Sequence, residues 1–248
     1  MPPTIGSYIE RVDELDSTNN YAASLLLTKR LPDGSVIVAN SQVGGRGQAT
    51  NKWESEPDKN LTFSIILYPE FMEITKQFEI SKAISLGIVD FLKDLVDDVS
   101  IKWPNDIYIG SRKVAGMLME YSIRKRKISS CIVGIGLNIN QLEFLSDAPN
   151  PVSLSQTTAM TYDLEDCLSV LLRKLDLRYA QLNKLRLQEI DNEYEQLLYQ
   201  RGSWSSYSSK EGDFSGKILG VDEYGLLMIE TQNKTIRKFD YKEVIFNS

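Results

Sequence analysis

The stretch IKWPNDIYIGSRKVAGMLME, residues 101–120, decides how this chain folds. Ser100–Trp103 reads as a short strand that Pro104-Asn105-Asp106 stops, because proline has no N–H for a ladder. Ile107–Ile109 resumes the extended pattern, Gly110-Ser111-Arg112 supplies a turn, and Lys113–Glu120 returns, which predicts an antiparallel hairpin. Pairing of Ile107–Ile109 with Val114–Leu118 places Lys113 and Asp106 near one end of that hairpin.

Working outward, SVIVAN (residues 35–40), LTFSIIL (61–67) and CIVGIGLNI (131–139) carry the β-branched, apolar content of buried strands, the last being the best candidate for a central one. A helix capped by Ser17 or Thr18 runs through Tyr21, Ala22, Leu25 and Leu26. Apolar residues three to four apart predict one long helix over Phe71–Leu95 and a second helical region over Asp163–Arg201, broken near Leu187–Asp191. Residues 141–160 are polar and proline-interrupted, the pattern of a surface loop. After Gly202 the rhythm becomes that of short antiparallel strands, FSGKILG, LLMIE, TIRKFD and EVIF. The expected class is α+β: a mixed or antiparallel sheet packed with helices over residues 1–208, followed by a small β-barrel-like domain over 209–248. So short a tail buries little core and is expected to lean on the larger domain.

Composition narrows the chemistry. The 248 residues contain no His, two Cys, and 28 basic against 34 acidic side chains, a formal charge of −6. Without His, Ser-His-Asp and Cys-His catalysis, HExxH metal sites and imidazole proton shuttles are excluded. Cys131 and Cys167 cannot make a disulfide framework, which favours a reducing cytoplasm. No apolar run approaches the length of a membrane span, and the N-terminal residues lack the order of a signal peptide. Net acidity argues against a general nucleic-acid coat.

Four constellations remain. In Gln42-Val43-Gly44-Gly45-Arg46-Gly47-Gln48, the glycines let backbone N–H groups approach a ligand and Arg46 is suited to a phosphate or carboxylate; a plain surface loop explains the same residues. Trp53 can pack over a planar ligand or serve as core. Lys102-Trp103-Pro104-Asn105-Asp106, followed by Lys113 and Gly116, offers a fixed positive charge for an anionic ligand and its transition state, or an ordinary hairpin-end lysine. Gly134-Ile135-Gly136-Leu137-Asn138 implies close approach of another group to a strand, or tight sheet packing, with Asn138 either a ligand contact or simply exposed.

Taken together, Asp16-Ser17-Thr18-Asn19, Gln42-x-x-Gly45-Arg46-Gly47, Trp53, Lys102-Trp103-Pro104-Asn105-Asp106, Arg112-Lys113-x-x-Gly116 and Gly134-x-Gly136-x-Asn138 resemble the biotin protein ligases, also called biotin–[acetyl-CoA-carboxylase] ligases. The tail resembles that family's small SH3-like domain. The resemblance implies formation of biotinyl-5′-AMP from biotin and ATP with Mg²⁺, then transfer of biotin to a lysine of a biotin carboxyl carrier protein or domain. It implies Lys113 and Arg46 as catalytic residues and Ser17, Thr18, Asn19, Gln42, Gly116, Gly134 and Gly136 as the biotin side. Gly45, Arg46, Gly47, Trp53, Asn105 and Asn138 fall on the nucleotide side, and Asp106 is polar support or a base. No metal-ligand set is assigned. The nucleophile is a carboxylate, ionised at neutral pH, so the first step needs no His.

Where relatives continue the glycine loop with a second basic residue and a further Gly, this chain has Gln48-Ala49-Thr50-Asn51, which bears on how tightly the adenylate is retained. The catalytic pattern begins close to residue 1, so no helix-turn-helix and no DNA binding are expected, while a homodimer is compatible with the family. A lipoate or other acyl-protein ligase is the nearest rival, and a non-enzymatic nucleotide or metabolite sensor a more distant one.

Overall fold

The computed structural model describes residues 4–48, 51–146 and 149–247. Seven strands, β1 (Ile9–Leu15), β2 (Ser35–Gln42), β3 (Leu61–Leu67), β4 (Val99–Lys102), β5 (Asp106–Ile109), β6 (Arg112–Arg124) and β7 (Lys127–Leu137), form one sheet in the order β1-β2-β3-β7-β6-β5-β4. The β1–β2 pair is parallel and every other pair antiparallel, so the sheet is mixed. Five helices accompany it: α1 (Thr18–Thr28), α2 (Phe78–Leu92), α3 (Leu154–Thr158), α4 (Leu164–Asn183) and α5 (Leu187–Gln196).

The two-residue period of the strands divides the core into two layers. Phe63, Ile65 and Leu67 of β3, with Cys131, Val133, Ile135 and Leu137 of β7, point into the large cluster built on α2 and α4. Their neighbours Ile66 and Ile132 point the other way, into a smaller cluster with Ala22 of α1. Every residue of β3 is therefore buried, as expected of a strand covered on both faces. On the α1 side the sheet carries Thr62, Ser64, Gly134 and Gly136 where larger residues would otherwise stand, and that depleted area becomes the site.

Two expectations need correction. Phe71–Leu95 is not one helix: α2 spans Phe78–Leu92, preceded by a 3-10 turn at Ile74–Lys76, because Ile128 N–H bonds Met72 and Ile74 N–H bonds Arg126, docking this segment to the β6–β7 turn. Residues 141–160 are not wholly loop, since α3 lies within them, closed by a capping box in which Ser153 and Gln156 satisfy each other's backbone N–H. The break expected near Leu187–Asp191 comes earlier, at residues 184–186 between α4 and α5, and Leu187 opens α5.

The tail forms a second sheet, β8 (Trp204–Ser209), β9 (Gly212–Val221), β10 (Leu227–Thr231), β11 (Ile236–Phe239) and β12 (Val244–Phe246), in the order β11-β10-β9-β8-β12. Its first strand spans Trp204–Ser209 and pairs with β9 and β12. No pairing joins β11 to β12 among the described residues, so the expected barrel is an open five-stranded sheet here. Tyr207, Ile218, Leu227 and Phe239 belong to the same buried cluster as the larger domain. Trp103 donates its indole N–H to the Gly225 carbonyl at 2.9 Å, fastening the β9–β10 turn to the KWPND motif.

Candidate active site

The hairpin at Gly110 delivers a charged pair. Lys113 Nζ lies 2.7 Å from Asp106 Oδ1, both side chains about three-quarters buried. The register explains the encounter: Ile107 faces Ala115, whereas the next residue, Tyr108, faces Lys113, so β6 carries one extra residue. Such a bulge re-aims side chains. It brings Lys113 to the face of Gly116, where its Cε stands 3.1 Å from the position a Gly116 Cβ would occupy. Residues 150–152 run beside it as a short parallel bridge, with Lys113 N–H bonding Asn150 and Val152 N–H bonding Lys113. The Lys113 backbone is thus fixed by these bonds and its ammonium by Asp106.

Trp53 forms the next layer. Gly116 and Gly136 face each other across β6 and β7, and the indole lies on both. A Cβ on Gly136 would come within 2.2 Å of Trp53 Cε2. Lys113 Nζ sits 5.6 Å from the centre of the ring, within cation–π range. The glycine loop is tied to the same residue: Trp53 N–H bonds Gly45, and Arg46 bridges Lys52. Gly45 passes so close that a Cβ there would meet the Trp53 carbonyl at 2.4 Å. Gly47 N–H reaches Asn51, whereas Ala49 and Thr50, on which adenylate retention was argued, lie outside the described residues.

A second polar group lies over Gly134. Ser17, the N-cap of α1, and Thr18 and Asn19 behind it are buried at the helix start. Gln42 accepts from Thr18 N–H at 2.8 Å, and Ser64 Oγ lies 2.7 Å from Thr18 Oγ1 and donates to Asn19 Oδ1 at 2.6 Å. A Cβ on Gly134 would collide with that amide oxygen at 2.4 Å. Asn19 Nδ2 in turn donates to Glu120 Oε2 at 2.7 Å, and Glu120 Oε1 accepts from Arg46 Nη2 at 2.9 Å.

The structure therefore brings Lys113, Asp106, Gly116, Gly136, Trp53, Gly45 and Arg46 into one contiguous chain of contacts, and Ser17, Thr18, Asn19, Gln42 and Gly134 into a polar cluster that Glu120 joins to it. Arg46 is paired with Glu120 and Asn20 rather than directed at Lys113. Asn105 is committed to the turn, its amide donating to Met117 while Met117 N–H returns to Asn105. Asn138 is not exposed, as the simpler reading of the sequence had it: it is 2% accessible, because residues 150–154 fold back over it. Its Nδ2 bonds Val152, but among the described residues its buried Oδ1 has no partner, and neither has the buried Trp53 Nε1. Buried polar atoms without partners are uncommon and point to a ligand or water. Glu120 is the participant sequence reasoning missed.

Among the described residues no three His, Cys, Asp or Glu side chains converge as a metal cage.

Comparison with known proteins agrees with this geometry. The profile of the biotin/lipoate A/B protein ligase family matches residues 11–138. The bifunctional ligase/repressor BirA of Bacillus subtilis is 29% identical over 240 residues, covering 94% of this chain and 72% of that protein. The biotin–[acetyl-CoA-carboxylase] ligase of Paracoccus denitrificans is 27% identical over 227 residues, 86% of this chain and 90% of the relative. The structure of biotin protein ligase from Aquifex aeolicus in complex with biotin and ATP superposes with a TM-score of 0.80 at 26% identity, over 97% of this chain and 99% of that one. With more than half the sequence inside the profile and the full architecture shared, this chain belongs to the biotin/lipoate A/B protein ligase family.

Proposed function

We propose that this protein is a biotin protein ligase that makes biotinyl-5′-AMP and passes biotin to a lysine of a carrier protein. The observation that carries the reading is the Lys113–Asp106 pair beneath Trp53, at the edge of a glycine-floored sheet face that the Ser17–Asn19 cluster closes. In the first step a biotin carboxylate oxygen attacks the α-phosphorus of ATP and pyrophosphate leaves. Both reactants are anionic, so the barrier is largely electrostatic. Lys113, fixed by Asp106 and by its backbone bonds, supplies positive charge that need not reorganise as the transition state forms. In the second step the carrier amine attacks the acyl carbon and AMP leaves. Asp106 is placed to orient that amine or take its proton.

Ser17, Thr18, Asn19 and Gln42 offer polar groups to the ureido end of biotin, and Gly116, Gly134 and Gly136 leave the room it needs. Trp53, Asn105 and Asn138 lie on the nucleotide side. The unpartnered Asn138 Oδ1 supports a contact with a donor such as an exocyclic amine. Gly45, Arg46 and Gly47 form the covering loop. Mg²⁺ would enter with the triphosphate and offset its charge. The tail is proposed as the SH3-like domain of residues 209–248, and β1, an edge strand, as a surface on which a homodimer could form. Among the described residues no helix is long and apolar enough to cross a membrane, and a cytoplasmic site is proposed from the low cysteine content.

The test is ATP-dependent labelling of a biotin carboxyl carrier domain, with pyrophosphate exchange measured for biotin and lipoate in parallel. Exchange with biotin and transfer to the carrier is the expected result. Exchange with lipoate alone reassigns the enzyme within its family, and binding without pyrophosphate release makes it a sensor.

A further inference from the structure

Glu120 stands where two functions meet. It projects from β6 on the face of Gly116 and Leu118, opposite Ile132, and its carboxylate is divided between two donors. Oε2 accepts from Asn19 Nδ2 at 2.7 Å, and Oε1 accepts from Arg46 Nη2 at 2.9 Å. Asn19 belongs to the buried start of α1, while Arg46 belongs to the glycine loop and is anchored on its other side by Asn20 Oδ1 at 2.6 Å. One carboxylate thus fixes a pocket amide and a loop guanidinium at once.

We propose that Glu120 is a positioning residue for adenylate formation: it orients Asn19 for the acid, and it competes with the substrate's phosphate for Arg46, setting how firmly the loop holds the intermediate. The inference rests on the ligase reading above. An Arg–phosphate pair is charge-assisted and readily bidentate, whereas Arg46 touches Glu120 through a single nitrogen. The side chains of Arg46 and Glu120 are 41% and 35% exposed, so water screens their attraction and the exchange is accessible. The Asn19 contact has no such rival, because Asn19 is buried and its amide oxygen is held by Ser64. When Arg46 transfers to phosphate, Glu120 keeps Asn19 but loses its counter-charge as an anion arrives. Its negative charge therefore opposes loop closure, although its position serves the pocket.

Two substitutions separate the roles. Glu120→Gln keeps one acceptor for Asn19 and removes the charge; Glu120→Ala removes both. Release of biotinyl-AMP, timed by chase with unlabelled biotin and ATP, should slow about three- to tenfold in both variants. The KM for biotin should rise at least fivefold in Glu120→Ala and stay within twofold in Glu120→Gln. In an Arg46→Ala background, Glu120→Gln should no longer alter release. A merely structural role predicts faster release and a raised KM in both. Unchanged or faster release in Glu120→Gln, or an effect that persists without Arg46, overturns the inference. If the wild-type protein itself fails to exchange pyrophosphate with biotin, the ligase reading is what has failed, and that control is run first. Circular dichroism and thermal unfolding of each variant confirm that folded protein is being compared.

Discussion

The indole of Trp53 occupies the volume in which a side chain at Gly136 would stand, with Cε2 only 2.2 Å from the position of the missing Cβ. The glycine on β7 is thus a seat for an aromatic residue 83 positions earlier, and that residue carries the glycine loop through its bond to Gly45.

Gly136→Ala should therefore displace Trp53 without unfolding the sheet, since strand backbone at this position accommodates alanine. Overpacking of this kind costs about 1–3 kcal/mol, and the lost cation–π contact with Lys113 about 0.5–1 kcal/mol more. The KM for ATP should rise roughly tenfold with a smaller change for biotin. An unchanged KM for ATP would place the nucleotide elsewhere.

Lys113→Ala should abolish most adenylate formation with the fold retained. Loss of one fixed donor to a developing oxyanion typically costs about 3–4 kcal/mol, or roughly a hundred- to a thousandfold in rate. Lys113→Arg should rescue little, because a planar guanidinium cannot reproduce a compact ammonium 2.7 Å from Asp106 and flanked by Trp53. Pyrophosphate exchange measures both, and an intact rate in the alanine variant would remove the catalytic assignment.

Acid should loosen the segment around Leu145 that Glu54 holds. Burial pushes the neighbouring Glu54 carboxyl up, but bonds from Leu145 and Ser146 N–H and from Gln141 outweigh it, and the net shift is below the ordinary carboxylate value. A depressed carboxylate stabilises the folded state above its unfolded pKa and loses that contribution as pH falls through its lower folded pKa. Amide protection at Leu145 and Ser146 should hold at neutral pH and be lost only in acid below the ordinary glutamate range. In Glu54→Gln that acid-dependent drop should be absent.

Gly87 tests the helical layer. A Cβ there would lie 2.8 Å from Leu175 Cδ2 and 3.0 Å from Leu175 Cα, so α2 and α4 touch at backbone distance. Alanine gains about 1 kcal/mol of helix propensity over glycine, yet overpacking against backbone that cannot swing aside costs about 1–3 kcal/mol. Gly87→Ala should lower the denaturation midpoint, and a raised midpoint would show that the helices can separate.

The sequence made the strands and the Gly110 hairpin legible because their signals are local: alternation, β-branching and turn chemistry within a few residues. The nearness of Lys113 and Asp106 was expected from the hairpin, but their 2.7 Å contact depends on a bulge in β6 that no local signal marks. The start of α2 was not legible, since apolar spacing continues through Phe71–Ile74 while docking to the β6–β7 turn holds that segment out of the helix. The short α3 had a local signal that went unread, Ser153-x-x-Gln156. Burial of Asn138 depends on a segment that returns from Pro151 and Val152. Glu120 was invisible because its partners lie 101 and 74 residues away and nothing near it in the chain marks it. Roles in binding and catalysis came from the ordered set of motifs rather than from any one.

The indole bond from Trp103 to Gly225 makes the tail and the KWPND turn a heritable pair. Gly225 has a φ of 93° and packs where a Cβ would strike Phe78 at 2.7 Å, so bare backbone is required there. A chimera that grafts a foreign tail onto this chain keeps the anchorage of Asn105 and Asp106 only if the graft brings such a turn to the same spot. Exchange of this tail is thereby constrained at a junction that lies far from the covalent seam.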